Sequence, residues 1–238
     1  TDHGVMYGAV EFYKQARSRG IHPIIGCEVY VAPRTRFDKQ KPLDSSYGHL
    51  VLLCENNEGY QNLIKMVSLS FTDGFYSKPR VDWELLRKYH GGLIALSACI
   101  AGEVPKALLE GDIEKAEELA CRYRDTFGKD NYFLELQDHG LAEQKRINPL
   151  LKKLSKETGI GLVATNDVHY INKEDSEFHD ILLCIQTGSF VADTDRMRFP
   201  NAEFYLKSEK EMRRIFADIP EAIDNTHKIA ERCTMEFD

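Results

Sequence analysis

Six side chains in this sequence belong to the classes that bind divalent transition metals, and they accompany apolar, strand-like runs. They are three histidines, two carboxylates and one cysteine: His3, Glu28, His49, Cys99, Asp167 and His169. Imidazole, carboxylate and thiolate groups are the usual protein ligands of zinc and related ions. Because these residues recur where strands should begin or end, the sequence predicts a metal site dispersed over a barrel-like fold.

The strongest local pair is Asp167 and His169, which are two residues apart. On an extended segment both side chains point to the same face and can reach one ion. A turn is the competing interpretation, because Asn166-Asp167 after an apolar strand is a common loop start. The Asp-His-Gly triplet, which occurs at residues 2–4 and again at residues 138–140, also fits a strand-to-helix turn.

The other three candidates each have an alternative explanation. Glu28 lies in an apolar run, where a buried carboxylate needs a partner such as a metal, unless it faces solvent from a half-exposed strand. His49 precedes its strand, whereas barrel enzymes place functional groups at the carboxyl ends of parallel strands. That strand must therefore run antiparallel or begin earlier if His49 belongs to the site. Cys99 follows its strand at the expected end, but it could be a small buried hydrophobe.

Apolar runs of strand length alternate with amphipathic helical patterns along most of the chain. The runs predict strands at 24–31, 50–55, 93–97, 132–137 and 162–165. The 3.6-residue patterns predict helices at 8–18, 59–69, 112–127 and 141–157, and then at 176–185, 208–216 and 220–232. Alternation of this kind predicts βαβ units with a parallel sheet. Residues 187–205 show no period and are interpreted as an extended connection.

Composition argues against several classes of protein, including membrane-spanning and disulfide-rich secreted proteins. Hydrophobic residues make up 42% and charged residues 29%, and no apolar run could span a bilayer, so no membrane partner is expected. A net charge of −7 argues against a broad basic surface that would bind nucleic acid by itself. The six cysteines are scattered and form no C-x-x-C pair, which favours a reducing cytoplasm. The chain opens directly on a motif, which suggests that an upstream piece is missing.

Five segments occur here in the order known from one family: Thr1-Asp2-His3-Gly4, Gly26-Cys27-Glu28, His49-Leu50, Ser97 to Glu103 and Ala164 to Tyr170. The chain resembles the polymerase and histidinol phosphatase (PHP) domains, in the branch found in bacterial DNA polymerase III alpha subunits. Residues 205–233 also look like that subunit's link toward its polymerase region. The resemblance implies a distorted (β/α)7 TIM-like barrel at residues 1–186, lacking its first strand, and a helical extension at 187–238.

The resemblance also implies a site. All six residues above match the family's metal ligands, for up to three zinc or manganese ions, with Glu28 placed to bridge two of them. Glu28, Asp167 and His169 would carry the catalysis. A His-x-His pair and an upstream Asp of the family are absent from this sequence. His139 could donate a proton or contact phosphate, or it could be a turn histidine.

The implied activity is metal-assisted phosphodiester hydrolysis, which would remove nucleotides from a primer 3′ end. The implied partners are the remainder of the alpha subunit, the proofreading subunit and other replisome proteins, and primer-template DNA. Two alternatives stay open. The domain could be a structural and docking module without catalysis, or it could be a free-standing phosphoesterase of the histidinol phosphatase type.

Overall fold

The structure is a computed structural model that describes residues 1–237, and these residues form one seven-stranded sheet with nine α-helices. The strands are β1 (Asp2–His3), β2 (Gly26–Val31), β3 (Gly48–Cys54), β4 (Arg80–Val81), β5 (Leu93–Leu96), β6 (Tyr132–Leu136) and β7 (Gly161–Ala164). The helices are α1 (Ala9–Ser18), α2 (Asn57–Thr72), α3 (Trp83–Lys88), α4 (Glu103–Glu110), α5 (Ile113–Phe127), α6 (Ala142–Thr158), α7 (Ser176–Thr187), α8 (Glu209–Ile215) and α9 (Pro220–Arg232).

All five predicted strands and all seven predicted helices are confirmed, with ends shifted by up to three residues. The sequence patterns missed β1, β4, α3 and α4. The two strands are only two residues long and the two helices only six and eight residues long. Elements this short contain too few residues to display a period.

The sheet is mostly parallel, but β3 departs from the prediction. The hydrogen-bonded order is β1-β2-β3-β5-β6-β7, with β4 paired to β2. Strand β3 runs antiparallel to both β2 and β5, whereas the other four pairings are parallel. No α-helix separates β2 from β3, so the chain can return antiparallel without a crossover. The result is a mixed α/β fold, and within residues 1–237 no hydrogen bonds pair β7 with β1.

The sheet is buried on both faces. Along β5, Leu93 and Ala95 point into the main core between the sheet and the helices, while Ile94 and Leu96 point into a second cluster on the opposite face. This period of two is what a strand buried on both sides requires. Ile229 of α9 joins the second cluster, so α9 covers part of that face.

Side-chain caps fix where several helices begin. Asn56, Asp82 and Asp112 each accept a hydrogen bond from a backbone N–H in the first turn of α2, α3 and α5. Ser208 and Glu211 form a capping box at the start of α8. The caps therefore determine at which residue each of these helices begins and where the preceding loop ends.

A buried arginine organises the loop between β2 and β3. Arg80 is fully buried, and its guanidinium donates hydrogen bonds to the backbone carbonyls of Gly74, Arg36, Asp38 and Asp44. Three carbonyl oxygens of this loop, together with that of Gly74 after α2, thus satisfy a charge that would otherwise be costly to bury. The loop leads directly into β3.

Helix α7 carries an exposed apolar face. Phe178, Leu182 and Ile185, at helical spacing, are 68%, 61% and 74% exposed, and Phe190 beyond the helix is 77% exposed. No helix within residues 1–237 is long and apolar enough to cross a membrane. This face is mostly exposed within residues 1–237.

Candidate metal centre

Three of the candidate residues are assembled by strand pairing at one end of the sheet. His3, in β1, lies opposite Glu28 of β2, and His49 lies near the start of β3, opposite Tyr30 of β2. Because β3 is antiparallel, its first residues lie beside the carboxyl ends of the parallel strands. The placement of His49 at the start of its strand, which is unexpected for a parallel sheet, follows from this reversal.

Glu28 lies between two imidazole rings. Its Oε1 atom is 3.2 Å from Nδ1 of His3 and 2.5 Å from Nδ1 of His49. Oε1 is buried, yet neither ring directs an N–H toward it in hydrogen-bond geometry. Burial raises the pKa of this carboxyl, but the two imidazoles lower it by more, to about 2. Glu28 is therefore an ionised carboxylate at neutral pH.

The Glu28 carboxylate also affects His3. Its proximity raises the pKa of the His3 imidazole, and this effect exceeds the opposing effect of burial. The His3 side chain is 52% exposed, whereas that of Glu28 is only 10% exposed. The cluster is therefore open to solvent on the His3 side and closed beneath Glu28.

Cys99 adjoins His49 through an unusual backbone position. Its Sγ atom lies 3.8 Å from Nδ1 of His49. The preceding residue, Ala98, has a φ of 63°, in the left-handed region that non-glycine residues rarely adopt. Burial raises the pKa of the Cys99 thiol to about 12. A nearby cation would have to lower that pKa before the thiolate could act as a ligand.

Asp167 and His169 come together on an irregular loop and not on an extended segment. Asp167 has a φ of 44°, which corrects the extended conformation predicted for this pair. Asp and Asn tolerate the left-handed region better than most residues, which explains why a carboxylate can occupy this position. Burial raises the pKa of the Asp167 carboxyl. Its Oδ1 lies 3.8 Å from Nδ1 of His169.

The backbone fixes the tautomer of His169. Nδ1 of this ring lies 2.7 Å from the carbonyl oxygen of Asp167, so Nδ1–H donates to that oxygen and Nε2 keeps its lone pair. The His169 ring centroid is 5.9 Å from that of His3, and His3 is 6.2 Å from His49. These distances connect the loop that carries Asp167 and His169 to the cluster around Glu28.

The six candidates therefore form one continuous cluster, which is suited to cations in its donor chemistry. Buried Oε1 of Glu28 lacks a hydrogen-bond donor, and imidazole, carboxylate and thiol groups surround it. Within residues 1–237, however, no three His, Cys, Asp or Glu side chains are arranged to hold one ion. The residue types fit a metal, and the ligand geometry of the site stays a prediction.

His139 has a structural position. It is 1% exposed; its Nε2 donates to the carbonyl of Asn166, and its Nδ1 accepts from the Gln144 side chain. Its ring also stacks on Phe204 at 4.0 Å. Both nitrogens are occupied, so this residue supports the loop that carries Asp167 and offers nothing to a phosphate.

Three residues beside the centre were not singled out from the sequence. The ring of Tyr47 is parallel to that of His49 within 2° at 5.9 Å, and Tyr30 lies 5.3 Å from His49. Glu135 is buried in β6, and burial raises its pKa to about 7. A carboxyl within the apolar run 132–137 was a visible signal for Glu135, whereas only the β2–β3 register identifies the tyrosines.

A comparison with protein families identifies the family of this chain. The family model described as "PHP domain" matches residues 1–139, which is more than half of the chain. The chain belongs to the PHP domain family. Four of the six candidate side chains, those of His3, Glu28, His49 and Cys99, lie within or beside strands of the matched region, and Asp167 and His169 lie beyond it.

The chain is similar to bacterial proteins named DNA polymerase III subunit alpha. The chain is 50% identical over 238 residues to DNA polymerase III subunit alpha of Treponema pallidum (strain Nichols), covering 100% of this chain and 20% of the relative. It is 46% identical over 245 residues to DNA polymerase III subunit alpha of Thermus aquaticus, again with 100% and 20% coverage. The protein of the same name from Deinococcus radiodurans is 48% identical over 244 residues, covering 100% of this chain and 18% of the relative. The chain thus spans about a fifth of the length of these relatives.

Proposed function

We propose that this PHP domain is the N-terminal part of a replicative DNA polymerase III alpha subunit and carries a metal-dependent phosphodiesterase centre. The observation that carries the catalytic part is the buried, ionised Glu28 carboxylate between His3 and His49. The whole-chain similarity to alpha subunits supports the assignment to a polymerase. The finer fold proposed is the distorted (β/α)7 barrel of residues 1–186, with residues 187–238 leading toward the polymerase region.

His3, Glu28, His49, Cys99, Asp167 and His169 would hold divalent ions, for which zinc and manganese are the proposed identities. Bound ions of this kind lower the pKa of a water molecule and stabilise negative charge on a leaving oxygen.

The chain's own residues prepare the site for that chemistry. Glu28 supplies a carboxylate that is already ionised, so no proton must leave it when a cation binds. His169 presents Nε2, because Nδ1 is held by the Asp167 carbonyl. Asp167 supplies a second carboxylate, which is partly buried. The proposed substrate is the terminal phosphodiester of a primer strand, whose hydrolysis would release one nucleotide.

The proposed partners follow from the relatives. The remainder of the alpha subunit would follow this domain, since the relatives are about five times longer than the chain. Primer-template DNA would reach the site through the full-length protein, and the proofreading subunit and other replisome proteins would bind alongside. The cytoplasm is the proposed compartment, which the six free cysteines favour.

Hydrolysis of single-stranded oligonucleotides by the purified chain, loaded with zinc or manganese, tests the catalytic proposal. We expect activity in the wild type and its loss in Glu28→Gln, a substitution that keeps the side-chain volume. Glu143→Gln, an exposed carboxylate on α6, is the matched control and should retain activity. Equal hydrolysis by wild type and Glu28→Gln would contradict a catalytic role for Glu28.

The second candidate function is a docking module without catalysis, favoured by the exposed apolar face of α7. In that case Glu28→Gln would lower the melting temperature through loss of a structural metal, while any hydrolysis measured in the preparation would be unchanged.

A further inference from the structure

A cavity of about 510 Å³ adjoins the candidate metal centre. It lies between the start of α7 and residues 191–201, and its wall includes Tyr170, His179, Arg198 and Phe199. Its volume falls in the range of about 300–1,000 Å³ that small-molecule sites occupy. None of the six candidate ligands lines it, so it is a separate space beside the centre.

Aromatic rings join this cavity to the centre. The Phe199 ring lies 4.7 Å from that of His169, and the His179 ring lies 5.4 Å from it. Phe199 and His179 are themselves 4.6 Å apart, and Tyr170 is 5.4 Å from His179. A ligand in the cavity would therefore meet aromatic side chains that directly contact a candidate metal ligand.

The charges around the cavity leave one cation for a ligand. Arg196 binds Asp180 through two hydrogen bonds, of 2.6 and 2.5 Å, and so neutralises that carboxylate. Arg198 forms no ion pair within residues 1–237 and donates a hydrogen bond only to the Val191 carbonyl. Glu177 is exposed at the rim. The cavity thus combines an aromatic wall with an arginine that can still bind an anion.

We propose that this cavity binds the terminal nucleotide of a single-stranded 3′ end, with its base against Phe199 and His179 and a preceding, non-scissile phosphate of the strand near Arg198. The inference rests on the proposed function, since it places the scissile phosphodiester at the neighbouring centre. In a nucleotide, one sugar joins the base to its phosphate. The cavity and the candidate metal centre are similarly close, because Phe199 of the cavity wall contacts the candidate ligand His169. Aromatic faces accept every base, which suits removal of a nucleotide whatever its identity.

Fluorescence of 2-aminopurine tests the inference, because stacking on aromatic side chains quenches this base analogue. The probe is a short single-stranded oligothymidylate with 2-aminopurine at its 3′ end and a non-hydrolysable phosphonate as its last linkage. Titration with the metal-loaded chain should quench the probe. The same oligonucleotide with 2-aminopurine at its 5′ end should be quenched much less. Equal quenching at both ends would overturn the inference.

Matched substitutions locate the binding. Phe199→Leu should weaken binding of the 3′ probe by about 5- to 100-fold, for the loss of one stacking contact. Arg198→Gln should also weaken it, through the loss of a phosphate contact. Phe199→Tyr should keep most of the affinity. Phe190→Leu, in the same segment but outside the cavity, and Arg213→Gln, on α8, are the controls and should bind as the wild type does. Unchanged affinity in both Phe199→Leu and Arg198→Gln would overturn the inference.

The inference and the proposed function can fail separately. If the metal-loaded chain hydrolyses oligonucleotides and both Phe199→Leu and Arg198→Gln leave KM unchanged, the nucleotide site is wrong while the catalytic proposal stands. If 3′-specific quenching depends on Phe199 but no hydrolysis occurs, the nucleotide site is supported and the catalytic proposal is wrong.

Discussion

Nδ1 of His49 lies 2.5 Å from Oε1 of Glu28, although the two residues are not directly opposite each other in the antiparallel pair β2–β3. Glu28 lies opposite Val51, and His49 lies opposite Tyr30, so the two are diagonal neighbours on one face of the sheet. The reversal of β3 makes this contact, and the contact defines the candidate centre of the PHP domain.

The first prediction concerns the charge of Glu28. Because this carboxylate raises the pKa of His3, Glu28→Gln should lower the His3 pKa toward its ordinary value. An NMR titration of the imidazole signals in the presence of EDTA measures it without metal. Glu55→Gln, which loses a contact to Arg232 instead, should leave His3 as in the wild type. A His3 titration that is the same in all three proteins would refute the contact.

The second prediction concerns His139. His139→Phe keeps a ring against Phe204 but leaves the Asn166 carbonyl and the Gln144 amide without their partner. We expect a loss of about 2–4 kcal/mol in the free energy of unfolding at neutral pH. His90→Phe replaces an exposed histidine and should change stability little. Urea denaturation measures both variants.

The pH dependence of that difference is a further part of the His139 experiment. Burial lowers the pKa of His139 in the folded state, so its contribution is present above the unfolded value of 6.5 and is lost as the pH falls below it. The difference in the free energy of unfolding between wild type and His139→Phe should therefore become smaller in acid. A difference that becomes larger in acid would contradict a neutral, buried imidazole.

The third prediction concerns Glu135, whose pKa burial raises from 4.5 to about 7. Between these two values the unfolded chain loses a proton that the folded chain keeps, so this residue destabilises the fold as the pH rises from 4.5 to 7. The wild type should lose up to about 3 kcal/mol relative to Glu135→Gln over that range. Urea unfolding in EDTA at several pH values measures this change in the free energy of unfolding. For the control Glu143→Gln, the free energy of unfolding should vary with pH as it does in the wild type.

The fourth prediction concerns Gly59 in α2. Alanine normally favours a helix over glycine by about 1 kcal/mol, but a Cβ here would lie 1.8 Å from the carbonyl oxygen of Gly92. Gly59→Ala should therefore destabilise the protein by about 1–3 kcal/mol, because backbone must move. Ser68→Ala, at an exposed position of the same helix, should be neutral or slightly stabilising. Thermal unfolding that places Gly59→Ala above the wild type would contradict this packing.

Much of the fold could be predicted from apolar periodicity, because the longer strands and helices display their buried faces in sequence. The direction of β3 could not, since period and residue type are the same for parallel and antiparallel strands. In the sequence, His49 lies at the wrong end of its predicted strand for a site on a parallel sheet. The antiparallel pairing of β3 with β2 explains this position.

The candidate site was visible in its residue types and hidden in its local geometry. Glu28 was identifiable because a carboxylate in an apolar strand needs a partner. The left-handed backbone of Asp167 was not, because the same residues also suit an extended segment. The cavity beside His169 depends on packing between residues 170–181 and 191–201, which no local pattern encodes.

Metal content per chain, measured by elemental analysis after equilibration with zinc or manganese and removal of free ions, tests the central claim most directly. The wild type should retain at least one ion per chain. Glu28→Gln and Asp167→Asn, which preserve side-chain size and suit the local backbone, should retain less while unfolding with the same cooperativity. Asp218→Asn, a surface control, should match the wild type. A wild type without metal, or equal metal in all four proteins, would contradict a metal centre built on Glu28 and Asp167.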